Sequence, residues 1–296
     1  MALYKSQTIN MINEKELNSL IKLLDDPDPQ VFDHVEDKLL SYGNEVISYL
    51  ESAWENSFDA ILQERIENIV HKIQYQNVRE DLALWHQSGG FDLLRGFLIV
   101  NRYQYPDLNE DKIINQIDAI KRDVWLQMMY EASPVEKVKL LNHIFYNVYG
   151  FSGNTKNHKN PQNSYLNQVL ESKKGNQISL AIIYSVIAQK LDIPIYGVNL
   201  PQHFILAYVD EFDQKEKDAG ILFYINVFNK GYMFGKRDID QFLRQLQIKP
   251  ETFFYEPCSN TEIIKRVLRN LISSYENAGA NEKVKELAKL LEVFAD

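Results

Sequence analysis

The segment from Gly175 to Tyr208 limits what this chain can fold into more than any other. Its apolar residues Ile178, Ala181, Ile182, Ile187, Ala188 and Leu191 recur at helical spacing, and Pro194 ends the run, which predicts a buried helix. Ile195, Tyr196 and Val198 come next, then the punctuation of Gly197 and Pro201, then Phe204, Ile205, Leu206 and Tyr208. Both runs are rich in strand formers. A third strand is predicted from Ile221 to Phe228. The charged stretch Glu211 to Asp218 between the last two strands suits an exposed hairpin loop, because its ionised side chains are costly to desolvate.

A helix followed by a strand led by His203 and then another strand resembles the transglutaminase-like core of the papain-like fold. That family's pattern sets Gly-x-Cys at a helix start, His at the head of one strand and Asp on the next. Aligned through Ala181 and Leu191-Asp192-Ile193-Pro194, the pattern puts Gln177 in the cysteine position, His203 in the histidine position and Asn226 in the aspartate position. The chain is more similar still to the bacterial SirB-type branch. The residues that carry this are Asn163-Ser164-Tyr165-Leu166, Val169-Leu170, Gly175, Ile178-Ser179-Leu180, Gly197-Val198, Pro201-Gln202-His203-Phe204 and Phe228-Asn229-Lys230-Gly231. That branch generally lacks the cysteine, and the resemblance implies a helical N-terminal region and a tetratricopeptide-like helix pair after the core.

The substitution at position 177 decides the chemistry. A thiolate attacks a carboxamide because a neighbouring imidazole lowers its pKa and a third group holds that imidazole in one tautomer. Gln177 can donate and accept hydrogen bonds, and so can bind a ligand or tie His203 in place, but it cannot form an acyl intermediate. Asn226 could still orient an imidazole. Of the alternative nucleophiles, Ser179 is about 200° around the helix from Gln177, so the two cannot both face His203. Ser164 could approach only if the helix from Asn163 to Leu170 packs beside the cleft. Cys258, the only cysteine, reads as a plain thiol at a helix entrance, where the helix N-terminus would lower its pKa somewhat.

His203 is expected to be a satisfied structural imidazole at a strand start, since a base without a nucleophile has only water to activate. His34, His71, His86, His143 and His158 are scattered singly and show no metal-ligand spacing, so no metal or other cofactor is expected. Gly89-Gly90 follows a helical stretch without the strand that a phosphate-cradling loop requires.

Composition narrows the partners. A formal charge of −9 and a pI near 5.3 argue against general nucleic-acid binding, which is driven by lysine and arginine. One cysteine fits a reducing compartment. The opening Met1 to Asn10 lacks a signal-peptide pattern, and no apolar run approaches the ~20 residues a membrane span needs, so the expected place is the cytoplasm, away from membranes.

The first half is helical by local cues. Asn13-x-x-Glu16 looks like a capping box ahead of Leu17, Leu20, Ile21 and Leu24, and Asp26-Pro27-Asp28-Pro29 breaks the chain. Val31, Phe32, Val35, Leu39 and Leu40 form one stripe up to Gly43; Val46, Ile47, Leu50 and Trp54 form the next. This pair resembles a HEAT-like repeat, which Ile61, Ile66, Ile69, Val70 and Ile73 continue. Ser133-Pro134-x-Glu136 opens a helix carrying Val138, Leu141, Ile144, Phe145 and Val148 toward the core. The asparagine-rich stretch Ser152 to Asn163 reads as a loop. Ser259-x-x-Glu262 caps a helix with Ile263, Ile264, Val267, Leu268 and Leu271, and Ala278-Gly279 turns into a second helix, a tetratricopeptide-type hairpin expected to cover the core.

These readings define an α+β protein: a helical HEAT-like lobe over residues 1–131, a transglutaminase-like core with a small antiparallel sheet over 132–250, and a C-terminal helix pair over 251–296. The functional expectation is a catalytically inactive core that binds a protein or peptide of unknown identity through a cleft formed by Gln177, His203, Asn226, Ser179, Ser164 and Tyr165. Two rivals stand beside it: a cysteine-independent amide hydrolase using His203, and a scaffold acting through its helical lobes.

Overall fold

The computed structural model describes residues 13–210 and 220–295, so the charged stretch Glu211–Asp218 and the opening Met1–Asn10 lie outside the described residues. The chain divides into two compact units, Met1–Val78 and Arg79–Asp296.

In the first unit, helix α1 (Glu14–Lys22) begins at Asn13, whose side chain accepts the Lys15 amide. The expected capping box is not formed. Glu16 instead accepts the Tyr42 hydroxyl at 3.2 Å, and Lys38 lies 3.7 Å from it. Asp28 caps α2 (Pro29–Ser41) with proline in its first turn, and a 3₁₀ turn from Gly43 leads into α3 (Ile47–Glu55). These helices close on the first part of α4 (Ala60–Gln87), burying Leu17, Leu24, Leu39, Leu50, Ile66 and Ile69. Arg65 donates to the carbonyls of Leu24 and Asp26, which the chain break after α1 would otherwise leave without helical partners.

The second unit runs from the end of α4 through α5 (Leu93–Arg102), α6 (Glu110–Gln127) and α7 (Pro134–Asn142). Ser133 and Glu136 form the predicted capping box on α7. The helix then widens into a π turn, His143–Val148. Ile144 and Phe145 remain buried, but Val148 is exposed, because the wider turn carries it off the apolar stripe that a regular helix would have continued.

The predicted loop after residue 152 contains a short strand, β1 (Ser152–Gly153), and a 3₁₀ turn, Pro161–Ser164. After α8 (Leu166–Ser172), β1 pairs in parallel with β2 (Lys174–Gly175), and α9 (Gln177–Gln189) follows at once. Every residue of α9 from Ile178 to Ala188 is buried.

The sheet then forms in chain order, each neighbouring pair antiparallel: β3 (Ile195–Leu200), β4 (His203–Val209), β5 (Ile221–Asn226) and β6 (Tyr232–Phe234). β5 ends at Asn226, two residues before the predicted end, because the Asn226 side chain caps a 3₁₀ turn over Val227–Asn229. Helix α10 (Lys236–Gln245) covers the face carrying Val198, Leu200, Ile205 and Ala207 with Ile239 and Leu243. By strand alternation, Phe204 and Leu206 point to the other face.

The chain ends in α11 (Asn260–Asn277) and α12 (Asn281–Leu291). Ser259 caps α11 as its sequence suggested, and α11 buries Ile263, Ile264, Val267, Leu268 and Leu271. The architecture is thus α+β, with a small antiparallel sheet and a C-terminal helix pair. Among the described residues no helix is long and apolar enough to cross a membrane.

Candidate functional site

The site is built around the first turn of α9. Asn176 accepts the Ser179 amide at 2.9 Å and Ser179 Oγ accepts the Asn176 amide at 3.0 Å, a reciprocal cap that satisfies two helix-end donors. Ser179 Oγ also donates to the Asn163 carbonyl at 2.7 Å, and Asn176 Nδ2 donates to Ser164 Oγ at 2.7 Å. Gly175 makes room for this wiring: a Cβ there would stand 2.6 Å from Ser179 Oγ. Asn163, Ser164, Gly175 and Ser179 therefore occur together for one reason, the anchoring of this helix start.

Ser164, Ser179 and Tyr165 were expected beside Gln177 in the cleft. The structure buries all three behind the helix start, with the serine hydroxyls committed to the cap. Tyr165 meets Tyr275 hydroxyl to hydroxyl at 3.0 Å, and burial drives its pKa well up. Neither serine has His203 as a partner.

Gln177 and His203 do meet. The Gln177 carbonyl oxygen accepts the Phe204 amide at 3.1 Å, and Gln177 Nε2 lies 2.9 Å from His203 Nδ1. The Phe204 amide can only donate, so it fixes which way the Gln177 amide points, and the NH₂ must face the ring. Nδ1 is then an acceptor and the imidazole proton sits on Nε2. Burial, and secondly the Arg266 guanidinium, lower the His203 pKa. An imidazolium would set Nδ1–H against the amide NH₂, so the geometry and the electrostatics favour the same neutral ring. Phe242 packs edge-on against the imidazole, with centroids 4.9 Å apart, and Arg266 donates to the His203 carbonyl at 3.3 Å.

Asn226 takes no part in holding the ring. The β4–β5 register, continued one pair beyond Leu206–Ile225, sets Asn226 across from Ile205 on the His203 face of the sheet. Its Oδ1, however, accepts the Asn229 amide at 3.0 Å. Asn226, expected to orient the ring, instead caps the turn that follows β5.

A cavity of about 370 Å³ opens beside Gln177. The start of α9, Gln202 and Phe204 form one wall, and Asn154, His158 and Lys159 another. The third comes from α11, through Arg266, Asn270, Ser273, Ser274 and Asn277. The sequence reading followed the apolar stripe of α11 and missed this polar one, although its spacing of i, i+4, i+7, i+8 and i+11 is a helical face in its own right. A larger cavity, about 680 Å³, runs along β5 to Tyr255 and Pro257 and does not touch Gln177; His203 lines neither of the two. The chemistry-bearing residues assign interest to the smaller one.

Cys258 is far from reactive. Its Sγ donates to the Gly197 carbonyl at 3.3 Å, and burial pushes its pKa up to about 11, against the lowering expected from its helix-end position. Among the described residues no group of three or more His, Cys, Asp or Glu could hold a metal ion.

Residues 111–269 match the family described as the transglutaminase-like superfamily. A UPF0162 protein of Xylella fastidiosa (strain Temecula1 / ATCC 700964) is 32% identical over 222 residues, 66% of this chain and 71% of its own. A UPF0162 protein of Vibrio cholerae is 24% identical over 116 residues, 39% of this chain and 43% of its own. Human F-box only protein 21 is 23% identical over 252 residues, 77% of this chain but 40% of its own length. No solved structure matches the chain.

Proposed function

This chain belongs to the transglutaminase-like superfamily, and from that premise we propose that its cleft captures a protein or peptide and performs no acyl-transfer chemistry. The observation that carries the reading is the closed contact between Gln177 and His203. Where the superfamily pattern sets a thiol against the imidazole, this chain sets an amide whose two ends are both engaged. The amide has no nucleophilic atom, and His203 Nδ1, the nitrogen that would take a proton from an attacking group, is already an acceptor. The commitment of Ser164 and Ser179 to the α9 cap weighs against a serine route to amide hydrolysis.

Within the superfamily we place the chain in the SirB-type branch, on the motifs that wire the helix start, and in the cytoplasm. A related stretch makes up 40% of the human F-box protein's length, which favours a module that can be joined to other parts.

Release of ammonia or of new amino groups from glutamine- and asparagine-containing peptides tests the proposal. Wild type and His203→Ala are expected to stay at the buffer background. Turnover by the wild type that disappears in a folded His203→Ala variant would overturn it in favour of a hydrolase.

A further inference from the structure

The cavity beside Gln177 has a charge opposite to that of the chain as a whole. Acidic residues outnumber basic ones 41 to 32 in the sequence, yet the described residues that line this cavity include Arg266 and Lys159 and neither Asp nor Glu. Neither cation is neutralised by a carboxylate among the described residues. Arg266 spends its hydrogen bonds on neutral oxygens: Asn199 Oδ1, the Leu200 carbonyl at 3.0 Å and the His203 carbonyl at 3.3 Å. Lys159 Nζ donates to Asn277 Oδ1 at 2.9 Å, again a neutral acceptor. Amides supply most of the remaining polar lining, and they can both donate and accept, as a bound peptide backbone requires.

We infer that this cavity recognises a carboxylate carried by a peptide, with Arg266 and Lys159 as its charge partners. A half-buried guanidinium held by three carbonyl-type oxygens is preorganised, so little side-chain entropy remains to be lost when an anion arrives. The positive end of α9, whose first residues line the same space, adds to the field in the same direction. A volume of about 370 Å³ lies at the lower end of ordinary ligand pockets, which suits one acidic side chain or a chain end with its neighbouring peptide unit. The inference rests on the reading of this cleft as a peptide-capture site and specifies its ligand.

The test is a fluorescence-anisotropy titration of the full chain with blocked peptide mixtures that differ only in a central Glu, Gln or Lys. A fourth mixture keeps the central Gln but ends in a free carboxylate. The Glu mixture, the free-acid mixture or both should bind at least about tenfold more tightly than the blocked Gln mixture, as expected for a charge-assisted contact. The stronger of the two identifies the source of the carboxylate. Lys159→Gln, at an exposed position, should reduce that preference severalfold, and Arg266→Lys should do the same while circular dichroism stays native. Equal binding of acid and amide mixtures, or preference for Lys, would overturn the carboxylate inference and leave peptide capture standing. Binding of none would remove both.

Discussion

Gln177 Nε2 lies 2.9 Å from Nδ1 of His203 while the same amide's oxygen holds the backbone N–H of Phe204. One side chain therefore sets the tautomer of the imidazole and ties the first turn of α9 to the first residues of β4. In a thiol enzyme the helix-start side chain reacts and the histidine is oriented by a third group. Here the helix-start side chain does the orienting, and Asn226 is left to cap a turn.

A thiol placed at position 177 tests whether this position addresses the imidazole. In Gln177→Cys the sulfur would start near a partly buried imidazole at a helix N-terminus, conditions that favour thiolate. Cys258 is an internal reference, its pKa pushed up to about 11. Iodoacetamide labelling at pH 7, followed by mass spectrometry, is expected to modify the introduced thiol in that variant more than about a hundredfold faster than Cys258. Equal rates in a folded protein would show that position 177 does not address the imidazole.

The cap on α9 is a structural device and should behave as one. Ser179→Ala removes a buried hydroxyl that accepts from Asn176 and donates to the Asn163 carbonyl. A loss of about 1–3 kcal/mol in urea unfolding is expected, since both partners lose a hydrogen bond inside the protein. An unchanged midpoint would mean that the wiring of Asn163, Gly175 and Ser179 has some other purpose.

Gly231 offers a second stability test. Its φ is +69°, and a Cβ there would run into the Asn142 side chain, which donates to the Gly231 carbonyl at 3.0 Å and accepts the Tyr184 hydroxyl at 3.0 Å. Gly231→Ala combines a left-handed backbone penalty with a clash against a bonded neighbour. A cost of at least about 2 kcal/mol by chemical denaturation is expected. A cost well below that would show Asn142 free to move aside.

What the sequence showed plainly was local. The apolar run of α9, the strand break at Pro201 and the Ser133–Glu136 cap act within a few residues, and each led to its element. Gly197, read as punctuation as well, lies inside β3 paired with Leu206, where a Cβ would run into the Phe204 ring. The meeting of positions 177 and 203 was legible through the family resemblance, which paired a helix-start side chain with the histidine at the head of a strand. Other features depend on contacts between elements. Asn226 stops β5 by capping the turn to Asn229, and Val148 leaves the core because α7 widens into a π turn. Arg266 and Asn270 belong to a visible helical stripe, but a polar stripe opposite an apolar one is what any solvated helix shows. Only the fold reveals that this polar face closes a cavity over Gln177.

Charge at position 177 should govern the titration of the ring. In the wild type the His203 pKa lies below its ordinary value of 6.5, so folding favours the neutral ring. The stability this contributes is present above the unfolded pKa and is lost as pH falls from about 6.5 through the folded value. Gln177→Glu should reverse the sign. A carboxylate beside Nδ1 would favour the imidazolium and raise the His203 pKa, and an opposite charge in direct contact is expected to carry it past its unfolded value. The contribution would then be fully present below the unfolded pKa and lost as pH rises through the new folded value. NMR titration of the imidazole carbons, with urea unfolding repeated across pH 5 to 8, measures both. In the wild type the ring should titrate low from the Nε2–H tautomer; in the variant it should titrate above 6.5. A wild-type ring carrying its proton on Nδ1, or a variant whose pKa does not rise, would mean that Gln177 does not control the imidazole and that its contact with His203 is incidental.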